Sequence, residues 1–182
     1  MIAIRSYIPS LLTFPGVVLR QVIHAGFCRL LNVKILDIRF FRRDTPSGYV
    51  LHEMPKRFES SFLLILGPLF VHSLLCFVVC IPALVPFEFY GESVGVREFF
   101  QLWLGLSIGM HAFPPRRDAG NLWNLTRKEV SEHGAIVRLM FPLLGFLRMA
   151  ERLTLYGFDV AYAAVIGIGI PWLVLDLIYP KI

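Results

Sequence analysis

The sequence predicts a mainly α-helical integral membrane protein, with about four transmembrane helices, a small β-hairpin between the first and second, and an interfacial amphipathic helix before the last. Composition points there first: 56% of the 182 residues are hydrophobic and 17% are charged, where soluble domains average about 45–50% and about 25%. Mean hydropathy is +0.65, and the apolar residues gather in runs of membrane length rather than spreading as one face of each element. These values exclude a disordered or collagen-like chain. Three cysteines cannot all pair within one chain, and Cys76 and Cys80 stand one turn apart in an apolar run, which predicts small core or lipid-facing residues.

The first predicted span is 8–31. It differs from the others because Arg20, Gln21 and His24 sit near its middle, and polar groups at that depth must face protein or water. It lacks the small-residue cleavage site of a secretory signal. Residues 33–53 follow as VKILDIRFF, RRDTPSG and YVLHE; period-2 alternation around a Pro-Ser-Gly turn predicts the hairpin at the membrane surface. The run Ser60–Pro86 carries no Asp, Glu, Lys or Arg over 27 residues and is long enough to cross with some tilt.

A third span is placed at about 97–113. Its apolar core FFQLWLGLSIGMHAF is short, so neighbours must cover it. Residues 134–152 place Arg138, Arg148 and Arg152 around Pro142, the pattern of a helix lying in the interface. The last span, 153–179, has Asp159 and Asp176 near its ends and the small-residue centre AYAAVIGIGI, which lets helices approach closely. The whole chain, 1–182, is expected to form one membrane domain.

Positive charge sets the expected orientation. Seven Lys and Arg lie between Arg29 and Arg57 and four between Pro114 and Lys128, against one between Phe87 and Glu98. The hairpin and a loop over 114–128 are then cytoplasmic, in a membrane expected to be the bacterial cytoplasmic one. With four spans both termini lie on the far side; a re-entrant helix inverts this for the C-terminus. The formal charge of +5 sits between apolar runs rather than on one polar face, so nucleic acid is not an expected partner.

The informative polar residues are Arg20, Gln21 and His24 on the first helix, His72 on the second, His111 at the end of the third, and Asp118 just beyond. Positions 20 and 24 share one helical face with 21 beside them, as in the HExxH arrangement that binds zinc through two histidines and activates water through the glutamate. The phrases FPGVVLRQVIHAGFCRLLNVKILDIRFF, GYVLHEMP, LILGPLFVHSLL and WLGLSIGMHAFPPRRDAGNLW occur in this order. Over about residues 8–124 the chain thereby resembles small integral membrane proteins related to the site-2-protease-like zinc metalloproteases, in which HExxH lies on the first helix, a β-hairpin follows, and a MHAFPxxxDA segment brings the third ligand.

The resemblance implies that His24 matches the second histidine of HExxH and Asp118 the acidic ligand. Arg20 stands where the first histidine belongs and Gln21 where the glutamate belongs, while His72 takes the approximate place of an Asn. A catalytic zinc needs three protein ligands, and its base must accept a proton at neutral pH. Guanidinium offers no lone pair and repels the ion, and an amide is no base. The expectation is therefore an inactive scaffold with a degenerate site, Arg20, Gln21, His24 and Asp118, in which Arg20 pairs with Asp118 in place of the metal.

Plainer readings stand beside these. His24 and His72 suit hydrogen-bonded helix-core histidines, His111 suits a side chain capping carbonyls at a helix end, and His52 suits the end of a strand. The aromatic stretch from Phe87 to Trp103 suits a belt at headgroup depth. Arg39, Arg42 and Arg43 form a basic surface that is either solvated or set against anionic lipid or an acidic partner.

Three functions remain open at this point. The leading one is an inactive, protease-derived accessory or structural subunit of a larger membrane complex, whose partners are the bilayer and other integral membrane subunits, with no cofactor expected. The second is an active intramembrane zinc protease with His24, Asp118 and His111 or His72 as ligands. The third is a membrane protein that binds a pigment, lipid or other small molecule in the old active-site cavity.

Overall fold

The computed structural model describes residues 11–42, 47–55, 57–91 and 93–178. Helix α1 (Phe14–Leu30) leads into a hairpin of β1 (Ile35–Arg39) and β2 (Tyr49–His52), then α2 (Phe58–Tyr90), α3 (Val96–Met110) and the long helical segment α4 (Arg116–Leu153). After a 3₁₀ turn come α5 (Phe158–Ala164), a π-helical turn at Val165–Gly169 and α6 (Ile170–Ile178), which run on as one helical segment, Phe158–Ile178.

Two helical segments are long and apolar enough to cross a membrane, α2 with 33 residues and Phe158–Ile178 with 21. They coincide with the predicted spans at 60–86 and 153–179. The other two predicted spans are shorter. α1 has 17 described helical residues and includes Arg20, and α3 has 15. At about 1.5 Å per residue α3 extends about 23 Å, less than the hydrocarbon thickness of about 30 Å. Residues 8–10 of the first predicted span and Tyr179 of the last lie outside the described residues.

α2 continues through Pro68, Pro82 and Pro86. Each proline removes one backbone donor, so the carbonyl four residues earlier, Leu64 for Pro68, loses its helical N–H partner. Near the first, the ring of His72 donates from Nδ1 to the Pro68 carbonyl at 2.6 Å, and Ser73 Oγ donates to the Leu69 carbonyl at 2.7 Å. The helix stops where Gly91 adopts φ 62°, a left-handed conformation that glycine enters without steric cost.

The helices meet through small residues. Cys76 and Cys80 are fully buried and their sulfurs lie against Gly105, Gly109 and Gly167, so they are core residues where α2, α3 and the π-helical turn cross. α1 and α3 touch backbone to backbone. Gly16 N–H donates to Ser107 Oγ at 3.0 Å, Ser107 Oγ donates to the Thr13 carbonyl at 3.0 Å, and Trp103 Nε1 donates to the Leu12 carbonyl at 2.9 Å. The Gly16 N–H, a donor that a helix start leaves unpaired, and the Leu12 and Thr13 carbonyls just before α1 are thus tied to α3. A Cβ on Gly16 would overlap the Ser107 carbonyl oxygen. Gly16→Ala is expected to destabilise the protein by about 1–3 kcal/mol, the usual cost of overpacking, read as a lower thermal midpoint in detergent.

The hairpin forms as predicted. β1 and β2 pair antiparallel with Ile35 opposite His52, Ile38 opposite Val50 and Arg39 opposite Tyr49, and a bulge falls between Ile35 and Asp37. Arg42 N–H closes the turn on the Ser47 carbonyl at 2.7 Å. Arg43 lies outside the described residues; Arg39 is exposed, and Arg42 is half-buried over the Tyr49 ring.

One expectation for the second half is corrected. Residues 116–128 are helical rather than a loop, and the helical assignment runs on through 134–152 to Leu153. The helix begins directly after Pro114-Pro115, with Asp118 in its first turn, where a carboxylate complements the N-terminal partial charge. It does not run straight. The Trp123 and Phe141 rings lie 5.4 Å apart, and the Arg148 guanidinium sits 5.5 Å over Trp123; in a straight helix residues 123 and 141 would be about 27 Å apart. The chain therefore doubles back between them. Leu122 from the first arm and Leu144, Leu147 and Ala150 from the second join Ile65, Leu66 and Phe113 in the main buried cluster.

Candidate functional site

α1 buries one stripe, Val17, Gln21, His24, Ala25 and Cys28, at the three- and four-residue spacings of a helix face. This face, the hairpin, the start of α2 and the first arm of α4 enclose a cavity of about 770 Å³. α1 contributes Arg20, Gln21 and His24, the hairpin contributes Asp37 and the whole of β2, and α4 contributes Asp118 and Leu125. The volume falls within the ~300–1,000 Å³ of small-ligand sites.

Next to it is a narrow crevice bordered by Arg20, His24, His111 and Asp118. Four residues singled out in the sequence, spread over almost a hundred positions, therefore converge. Arg20 donates from its guanidinium to the Phe113 carbonyl at 2.8 Å, tying α1 to the turn after α3. Asp118 is near enough to act electrostatically on Arg20, and both line cavity and crevice alike. Gln21 is buried beside them.

The histidines take different roles. His111 ends α3 and accepts or donates a hydrogen bond between Nε2 and Thr13 Oγ1 at 2.9 Å, so its side-chain partner is a hydroxyl on the approach to α1 rather than the carbonyls of its own helix end. His72 is fully buried and held by the Pro68 carbonyl. His24 is buried, its ring 5.1 Å from that of His52, which places the last residue of β2 over the first helix.

The residues at the position that the resemblance implies for zinc do not fit the ion. Arg20 has no lone pair, and its guanidinium already donates to a carbonyl. Among the described residues, His24, Asp118 and His111 do not bring ligand atoms together. The trio whose ligand atoms lie within 4.8 Å of one another is His24, Cys28 and His52. The sequence alone gives Cys28 no such role and places His52 at the end of a strand, where β2 does end. The available signal was Cys28 four residues after His24 on the same helical face.

At the cavity rim Tyr49 donates from its hydroxyl to Asp37 Oδ2 at 2.5 Å, and Ile38 N–H donates to Oδ1 at 2.9 Å. The Tyr49 bond, ahead of the others, holds the Asp37 carboxyl below the usual carboxylate range. The ionised form is thus the favoured one. Its contribution to the hairpin is present above the unfolded value and is lost as pH falls through the folded one. Tyr49→Phe is expected to raise the Asp37 titration midpoint, followed by carboxyl-carbon NMR.

Comparison of the chain with protein-family models, with curated proteins and with solved structures finds no match.

Proposed function

We propose that this chain is a catalytically inactive, metalloprotease-like membrane protein that works by binding, as an accessory subunit that holds an extended segment of a partner membrane protein in the cavity. The observation that carries the reading is the cavity floor. Where hydrolysis would need a ligand and a base, there are an arginine donating to the Phe113 carbonyl and a glutamine, while a cavity large enough for a short segment persists above them.

β2 supports the choice of an extended segment. All four of its residues, Tyr49, Val50, Leu51 and His52, line the cavity. Alternation would bring every second side chain to a cavity facing the sheet's surface, so four in succession indicate that the strand presents its edge. Among the described residues β2 pairs with β1 alone. An added strand would satisfy the outer edge by main-chain hydrogen bonds.

In this reading α1 and α3 complete the membrane domain alongside α2 and Phe158–Ile178, and the Lys and Arg of the hairpin hold it on the cytoplasmic side. Apolar residues left exposed, among them Phe70, Leu74, Phe146 and Met149, serve lipid and partner contact. Purification of the full chain from its native membrane in a mild detergent tests the proposal. A stoichiometric co-purifying integral membrane protein is expected; a chain that runs alone as a monomer contradicts it.

A further inference from the structure

His24 and Cys28 are one turn apart on the buried face of α1, and the hairpin carries His52 over them, so that one ligand atom from each lies within 4.8 Å of the others. Three further facts bear on what these groups do. His24 Nε2 is buried without a hydrogen-bond partner, an uncommon and costly state for a polar atom. His52 Nδ1 is 2.8 Å from the Glu53 carbonyl, which can only accept. In the neutral ring that nitrogen carries the proton and Nε2 keeps its lone pair, the arrangement by which an outer hydrogen bond orients a metal-binding imidazole. Cys28 is fully buried.

We propose that His24, Cys28 and His52 form a site for a divalent transition metal of the zinc class, which fastens the hairpin to α1. Two imidazoles and a thiolate suit Zn²⁺ or Co²⁺ and not Mg²⁺ or Ca²⁺, which take oxygen ligands. Zinc sits at roughly 2.0–2.1 Å from nitrogen and roughly 2.3 Å from sulfur, which sets tetrahedral ligand atoms roughly 3.3–3.8 Å apart. A shift of about 1 Å, within reach of the half-buried His52 ring at the end of β2, closes the trio on an ion. On binding, the Cys28 thiol gives its proton to solvent and its sulfur lone pair to the metal. The resulting complex carries one positive charge rather than two, which eases repulsion by Arg20 one turn away.

The site is displaced by one turn of α1 from the position at which the sequence resembles a zinc protease, using 24 and 28 in place of 20 and 24, with neither Asp118 nor His111 as ligand. His24 and His52 also line the cavity, so the fourth coordination position opens onto it. Gln21 supplies no base there, and the position is left to water or to a donor atom of whatever segment the cavity holds. The inference does not depend on the binding function, because a metal on these three ligands is measurable with the cavity empty.

Titration of Co²⁺ into the purified full chain, stripped with a chelator under reducing conditions, tests it. One Co²⁺ per chain is expected, with a thiolate-to-cobalt charge-transfer band and the strong visible bands of a tetrahedral site, both removed by Zn²⁺. Cys28→Ser should abolish the charge-transfer band, and His52→Asn should weaken binding at least about 10–100-fold, the loss seen even for outer-shell partners. Asp118→Asn and His111→Gln should leave spectrum and stoichiometry unchanged. The proposal is overturned by absence of a cobalt spectrum, by a charge-transfer band that survives Cys28→Ser, or by binding that depends on Asp118 or His111. Circular dichroism accompanies each variant; should Cys28→Ser not fold, His52→Asn, at the end of the hairpin, decides alone.

Discussion

Arg20→Met is expected to destabilise the protein by about 2–3 kcal/mol, between the ~0–1 of an exposed ion pair and the ~3–5 of a buried pair that loses one partner. Arg20 and Asp118 are both half-buried, which places the pair between those limits. The substitution keeps the apolar stem and removes the donor to the Phe113 carbonyl together with the charge on which Asp118 acts. The double variant Arg20→Met, Asp118→Asn should regain a large part of the loss, since it removes both charges together. Thermal unfolding in detergent across the four members of the cycle measures the coupling. Additive losses would show that Arg20 holds α1 through the Phe113 carbonyl alone.

Leu125→Arg should abolish capture of the partner, lowering its affinity by about 10²-fold or more. Leu125, on the first arm of α4, lines the cavity together with β2. A guanidinium there takes up the volume a bound segment would fill, and an unpaired buried charge costs several kcal/mol, with about 1.4 kcal/mol for each tenfold in affinity. Lys34→Ala, outside the cavity at an exposed ion pair with Glu53, should leave capture unchanged. The comparison is read as partner recovered per chain after purification. Equal recovery from both variants would place the binding surface on the outer helix faces instead.

Much of the fold was legible because its signals are local. The charge-free run in α2, the small residues near Gly167 and the period-2 pattern around Pro46-Ser47-Gly48 each follow from residues within one element. The error over 114–128 has a physical source: its many polar residues read as a loop on hydropathy, yet PPRRDAGNLWNLTRK offers a proline start, an acidic first turn and one glycine, all compatible with a helix. That α4 doubles back is a tertiary fact, shown by Trp123 meeting Phe141.

The site was legible to the same degree. That Arg20, His24, His111 and Asp118 meet at one crevice is an expectation of the resemblance. The approach of His52 to His24 is not, because it depends on how the hairpin folds over α1, and no spacing along the chain encodes that angle. The same holds for Cys28, which becomes informative once His52 stands beside it.

Photo-crosslinking from within the cavity tests the central claim most directly. A photoreactive amino acid at Leu125, activated in the native membrane and followed by mass spectrometry, reports what the cavity holds and in what state. Binding without hydrolysis predicts an adduct with a single integral membrane protein whose peptides are recovered from both sides of the crosslinked segment. An adduct truncated at that segment would show that the site cleaves what it binds, and an adduct with lipid alone would show that no protein segment enters.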